Sequence, residues 1–147
     1  MTGSLLLLAG CSGDDNSTPK ASTYTVRGSV LLPDGKPLAG GTVYFVPTAK
    51  GTVGATGKVG SDGSFKLSTY GTDDGAAAGT YKVRIEPDFE AYPKDKKGAP
   101  VLPFNGRFTD EDTSELTAEV QAKDNELPPF RLDKKPIAKA VVDRDRD

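Results

Sequence analysis

Three kinds of side chain in this sequence have types suited to chemistry. The single cysteine, Cys11, closes an apolar run, Leu5-Leu6-Leu7-Leu8-Ala9-Gly10. Two acidic groups, Asp73-Asp74 and Asp110-Glu111-Asp112, carry oxygen ligands of the kind calcium takes. Tyr44, Tyr70 and Tyr92, with Phe104 and Phe108, carry rings that stack on sugars or peptides. Histidine and tryptophan are absent from the 147 residues, and there is one cysteine. Ser-His-Asp and Cys-His nucleophiles, histidine general bases and histidine-ligated zinc are therefore excluded. A cysteine-rich metal site has no ligands.

The remaining candidates weigh unevenly. No segment has the spaced D-x-D-x-D-G pattern of a calcium loop, and solvated acidic loops account for Asp73, Asp74, Asp110 and Asp112 equally well. A glycosidase acid–base pair needs only Asp or Glu, but no spacing here supports one. For the tyrosines, a stacking platform competes with a plainer reading, in which Tyr44 covers an outer sheet face and Tyr70 caps the core. The plainer reading is favoured. Lys+Arg number 19 against 21 Asp+Glu, so no basic field points to nucleic acid. Neither an enzyme nor a cofactor is expected.

Cys11 has a sharper reading. Leu8-Ala9-Gly10-Cys11 matches the bacterial lipobox, in which the cysteine is lipidated and becomes the first residue of the mature chain. Residues 1–11 are then an export signal, although Met1-Thr2-Gly3-Ser4 lacks the usual basic residue and the apolar run is short. A start codon assigned too far downstream would account for both. The run is too short to span a bilayer. Ser12 to Ser22 is small, polar and proline-containing, a flexible tether holding the domain ~18 Å from the membrane on average. Several acyl chains on one cysteine anchor stably, and no cysteine remains for a disulfide. The expected location is the periplasmic or cell-surface side of a membrane.

The rest of the chain must supply the scaffold. Tyr24 to Leu32 and Gly41 to Thr48 are predicted strands, joined by Pro33-Asp34-Gly35-Lys36-Pro37 and Gly40-Gly41. Asp62-Gly63 predicts a two-residue hairpin turn between Lys58-Val59 and Phe65-Lys66-Leu67. Residues 71–79 read as a loop without apolar anchors. Thr80 to Glu86 alternates most cleanly, with Tyr81, Val83 and Ile85 inward. Residues 88–114 form an irregular stretch longer than ordinary connections, so a working surface is sought there, with its second half packing back on the domain. Glu115 to Ala122 and Leu127 to Leu132 complete the set, the latter beginning at an edge or through a bulge because Pro128 and Pro129 donate no hydrogen bond. About seven strands over about 110 residues predict an antiparallel two-sheet sandwich. Residues 133–147 read as a disordered charged tail.

These residues carry a family likeness over 23–132. Val26-x-Gly28-x-Val30, Asp34-Gly35-Lys36-Pro37-Leu38 and Gly41-x-Val43-x-Phe45-x-Pro47 come first. Asp62-Gly63-Ser64-Phe65 follows, then Asp74-Gly75-Ala76 with Gly79-Thr80-Tyr81-Lys82-Val83, then Phe108 with Thr113-Ser114-Glu115-Leu116-Thr117. The ordered set resembles small bacterial lipoproteins with a carboxypeptidase-regulatory-like domain, also called transthyretin-like or prealbumin-like. It departs from their pattern at Ala77, where proline is usual, and at Pro128-Pro129. The resemblance implies a seven-stranded Greek-key β-sandwich, transthyretin-like or Ig-like, acting as a non-catalytic folding, adhesion or binding module. Hydroxyisourate hydrolases share that fold but depend on histidines, which this chain lacks. The expectation is a lipid-anchored envelope protein with a structural or binding domain, monomeric in itself, whose partner is an envelope protein or polysaccharide. The alternative is a carbohydrate- or peptide-binding domain using Tyr92, Phe104 and Phe108. A calcium-binding adhesion module or an enzyme ranks below both.

Overall fold

The structure, a computed structural model, describes residues 20–134. The leader with Cys11, most of the tether and nearly all of the C-terminal tail lie outside the described residues. Within them the chain is all-β, with several sheets and two 3₁₀ turns, Phe89–Ala91 and Gly106–Thr109.

One sheet is wholly antiparallel. Its strands are β3 (Thr42–Pro47), β4 (Ala55–Lys58), β7 (Gly79–Glu86) and β8 (Leu116–Val120), in the order β4-β3-β7-β8. β7 is its spine because Tyr81, Val83 and Ile85 fall on one face and are fully buried. The facing sheet centres on β2 (Val26–Leu31), with β5 (Ser64–Lys66) on one side. On its other side lie β9 (Asn125–Glu126) and β10 (Phe130–Arg131). A small third pair joins β1 (Thr23–Tyr24) to β6 (Ala76–Ala77).

The inward faces share one core. Val26, Val30, Phe65 and Phe130 come from the sheet around β2, and Val43, Phe45, Tyr81, Val83 and Val120 from the other. Phe45 is the hub. Its ring centroid lies 6.2 Å from Phe65, 5.8 Å from Tyr81 and 6.1 Å from Phe130. Phe65 and Phe130 stack at 6.1 Å with only 9° between their planes. The Tyr81 hydroxyl donates to the Ala77 carbonyl at 2.6 Å. Burial, and secondarily Tyr70, pushes the Tyr81 phenol above its ordinary pKa.

Several expectations need correcting. The sheets are not all antiparallel: β9 and β10 run parallel to β2. The chain leaves β8 in one sheet, crosses at residues 121–124, and follows β2 in the same direction. Pro128 and Pro129 break that last strand in two, since neither donates to the ladder. Residues 71–79 are not an unanchored loop. Ala76 is fully buried and pairs with Tyr24, and Ala77 pairs with Thr23. That approach requires glycine before them: a Cβ on Gly75 would sit 1.8 Å from the Tyr24 carbonyl oxygen.

The turn at Asp62-Gly63 is also longer than predicted. Gly60 and Ser64 close it through a Gly60 N–H to Ser64 carbonyl bond of 2.9 Å, leaving three residues in the loop. Only Gly63 has positive φ, +80°, as a three-residue loop with one left-handed position requires. The strands that the turn joins then part, β4 pairing with β3 and β5 with β2. Paired hydrogen bonds between Thr56 and Ser68 still bridge them, so this side of the sandwich is laced shut.

On the opposite side, polar side chains do the closing. Asn125 is 7% exposed. Its amide accepts from the Gln121 N–H and donates to the Lys123, Gln121 and Thr25 carbonyls, tying the end of β8 to the approach to β2. At the other end, the Arg107 guanidinium donates to the Ser114 carbonyl at 2.6 Å and pairs with Asp133 at 3.3 Å. It also lies 4.0 Å over the Phe108 ring. Asp133 in turn accepts from the Asn105 N–H through its carbonyl, so the ordered chain continues past the boundary predicted at residue 132.

Truncating the hub, Phe45→Ala, is expected to cost about 3–5 kcal/mol. Phe89→Ala, at a ring 36% exposed, should stay within about 0.5 kcal/mol of the parent. Urea midpoints of the two variants, compared at constant m, check the contrast.

Candidate functional site

The acidic candidates are engaged in folding their own loops. The Asp74 carboxylate accepts backbone N–H bonds from Thr69 at 2.7 Å, Tyr70 at 2.9 Å and Gly71 at 3.0 Å. Partial desolvation raises its pKa, but the three donors outweigh that and hold it below the ordinary carboxylate value. Asp73 next to it takes a left-handed φ of 55° and donates its N–H to the Ser68 hydroxyl. Asp110 caps its own turn by accepting from the Asp112 N–H at 2.8 Å. Asp112 pairs with Lys82 at 3.1 Å, and Glu111 with Arg84 at 3.5 Å. Among the described residues no three carboxylates or cysteines converge on a metal position. The structure does not bring the 73–74 and 110–112 groups into one site.

The aromatic candidates are dispersed as well. Phe104 is 4% and Phe108 1% exposed, their centroids 6.2 Å apart in an edge-to-face contact. Both plug the core beneath Arg107, so neither ring can stack on a ligand. Tyr92 is half-buried against the same core, and burial followed by the nearby Asp88 charge raises its phenol pKa. The exposed apolar residues of the 88–114 stretch are instead Phe89 and Val101. Tyr44 does cover its outer sheet face, under the Arg84 guanidinium at 3.7 Å. Tyr70 does not cap the core. It is exposed, accepts from the Ala21 N–H at 3.0 Å, and has the Lys20 ammonium 5.4 Å from its ring centre.

The concave surface lies elsewhere, over the β4–β5 hairpin. A cleft of about 720 Å³ is lined by Lys58, Lys66, Thr56, Ser64, Ser68 and Tyr70 among others, with Asp73 at the Tyr70 end. Its register is unusual in charge. Gly60 bonded to Ser64 and Thr56 bridged to Ser68 leave Lys58 facing Lys66 across the stretch where β4 and β5 diverge. Lys66 is in turn the Cα partner of Arg27 on β2. Arg27, Lys66 and Lys58 therefore form one row across three strands, all exposed. None of the three makes an ion pair with another described residue. Like charges directly opposite across a ladder repel.

Comparison with known proteins adds no family. No family model matches the chain, and no curated protein matches it. Among solved structures, a 9R-lipoxygenase from Cyanothece PCC8801 aligns at a TM-score of 0.40 and 14% identity, over 79% of this chain. The chain spans 18% of that protein's length. A likeness this weak carries no argument about fold or function.

The cationic row is the feature that the sequence reading missed, and the turn hid it. A two-residue loop at Asp62-Gly63 would set Lys58 against Leu67 rather than against Lys66. The third loop residue shifts the register by one and aligns the lysines. The signal available was their equal distance, four residues, on either side of Asp62.

Two measurements follow from this geometry. Replacing Lys58 by Thr removes one repelling charge and adds a β-former, so stability should rise by about 0.2–1 kcal/mol, most at low salt. A lower urea midpoint would mean that the repulsion does not act. For Asp74, a folded pKa below the unfolded value makes its contribution complete above about pH 4. That contribution is lost as the pH falls through the lowered folded value. Asp74→Asn should therefore cost about 0.5–1 kcal/mol near neutrality, the low end for hydrogen bonds because solvent screens this loop, a gap that closes on acidification in urea melts run across the pH range.

Proposed function

We propose that this chain is an exported, lipid-anchored cell-envelope protein whose β-sandwich is a non-catalytic structural and binding module. The observation that carries the reading is Leu8-Ala9-Gly10-Cys11, followed by a short polar segment and then directly by a β-domain starting at Thr23. Several motif residues behind the family resemblance also support it, since they have folding roles. Asp34 accepts from the Lys36 N–H in its turn, Leu38 is fully buried, and Asp74 gathers its loop. Ser114 donates its hydroxyl to the Val83 carbonyl beside β7. A motif set spent on architecture fits a scaffold better than a reaction centre.

In this reading the sandwich is the seven-stranded Greek-key, transthyretin-like or Ig-like arrangement. The order β4-β3-β7-β8, the parallel return beside β2 and the tyrosine tie from Tyr81 to Ala77 favour it. The partner is an envelope protein or polysaccharide. The second reading, a carbohydrate- or peptide-binding domain proper, is now favoured by the cleft over β4 and β5 rather than by the 88–114 stretch.

Anchoring is tested by Cys11→Ala in the full chain expressed in bacteria. The parent should incorporate labelled fatty acid and sediment with membranes, and the variant should do neither. A variant that still partitions with membranes without incorporating lipid removes the lipoprotein reading.

A further inference from the structure

We propose that the cleft over β4, β5 and the loop through Tyr70, with Arg27 of β2 adjoining it, is a binding site for an acidic polysaccharide. Arg27 is the Cα partner of Lys66 on the neighbouring strand, and Lys58 lies across the diverging β4 and β5 from Lys66, between the Thr56–Ser68 bridge and the Gly60–Ser64 bond. No described carboxylate neutralises any of them by an ion pair. A surface that places like charges opposite one another is held at a cost, and an anionic ligand removes that cost on binding. The row is also bordered by neutral donors and acceptors. Ser64 lies on one side of it, and Thr56 and Ser68 on the other, all lining the same cleft.

Hydroxyls around ammonium groups match a chain that carries both hydroxyls and anionic groups. The Tyr70 ring at one end offers an apolar face to a sugar, and Lys20 beside it adds a fourth cation. A cleft of about 720 Å³ falls within the usual size of ligand sites. It is concave, which suits a polymer strand better than a planar layer of lipid headgroups. Asp73 at the Tyr70 end is the one carboxylate on the lining, and it sets that end apart from the lysine end.

This inference deepens the reading of the domain as a binding module and rests on that reading, not on the anchor. The test uses the full chain and four probes: polygalacturonate, dextran sulfate, uncharged dextran and phosphatidylglycerol vesicles. Affinity electrophoresis and calorimetry should show binding to one or both acidic polymers, weakening as salt rises from about 50 to about 300 mM, and none to dextran. Lys58→Gln with Lys66→Gln should weaken polymer binding at least about tenfold while melting cooperatively at or above the parent's temperature. Lys82→Gln with Lys94→Gln, outside the cleft, should bind as the parent does. The proposal is overturned by equal affinity in the Lys58/Lys66 variant, by equal binding to dextran, or by binding to vesicles alone. A chain that partitions with membranes through Cys11 yet binds no acidic polymer overturns this assignment and leaves the anchored-module reading standing.

Discussion

Phe45 is the point at which two sheets become one domain. A single antiparallel sheet of this size cannot hide both faces, and a small domain without disulfides depends on how well its one core closes. Phe45 reaches across from β3 to Phe65 and Phe130 of the facing sheet while touching Tyr81 on its own. Those three partners come from separate stretches of the chain, so the hub cannot form until most of the topology is in place. Around it the core is aliphatic and aromatic throughout, and among the described residues no buried side-chain polar atom lacks a partner.

Closure at the flanks is then a separate problem with two different solutions. Where β4 and β5 diverge, backbone bonds between Thr56 and Ser68 hold the sheets together. On the other flank there is no shared ladder, and Asn125 and Arg107 take that role with side-chain bonds to backbone carbonyls. The 88–114 stretch owes its length to this. Its second half carries Phe104 and Phe108 under Arg107 and fills the gap between the entry to β8 and the exit from β10.

Strong periodicity was legible in the sequence wherever a strand is long and one face is wet. Tyr81, Val83 and Ile85, or Val43 and Phe45, point as alternation predicts. What sequence did not show depends on distance in space. The burial of Ala76 comes from β1 lying over it, and nothing in a run of small residues announces that neighbour. The direction of the last strand depends on which sheet the chain crosses to after β8, a choice made by Asn125 and invisible to local pattern. The candidate site shows the same limit. Single rings and carboxylates looked available because exposure is a tertiary property, whereas the lysine pair depended on one residue of loop length.

The break at Pro128-Pro129 has a further consequence at high local concentration. β9 and β10 form the outer edge of the sheet around β2, the place where a second copy could add a strand. Two adjacent residues without N–H groups, set in the middle of that edge, deny an incoming chain a continuous row of donors. Molecules crowded together meet edge to edge far more often than molecules in dilute solution. In such a setting the prolines act as a guard against fibre growth, and the interrupted last strand is the form that guard takes.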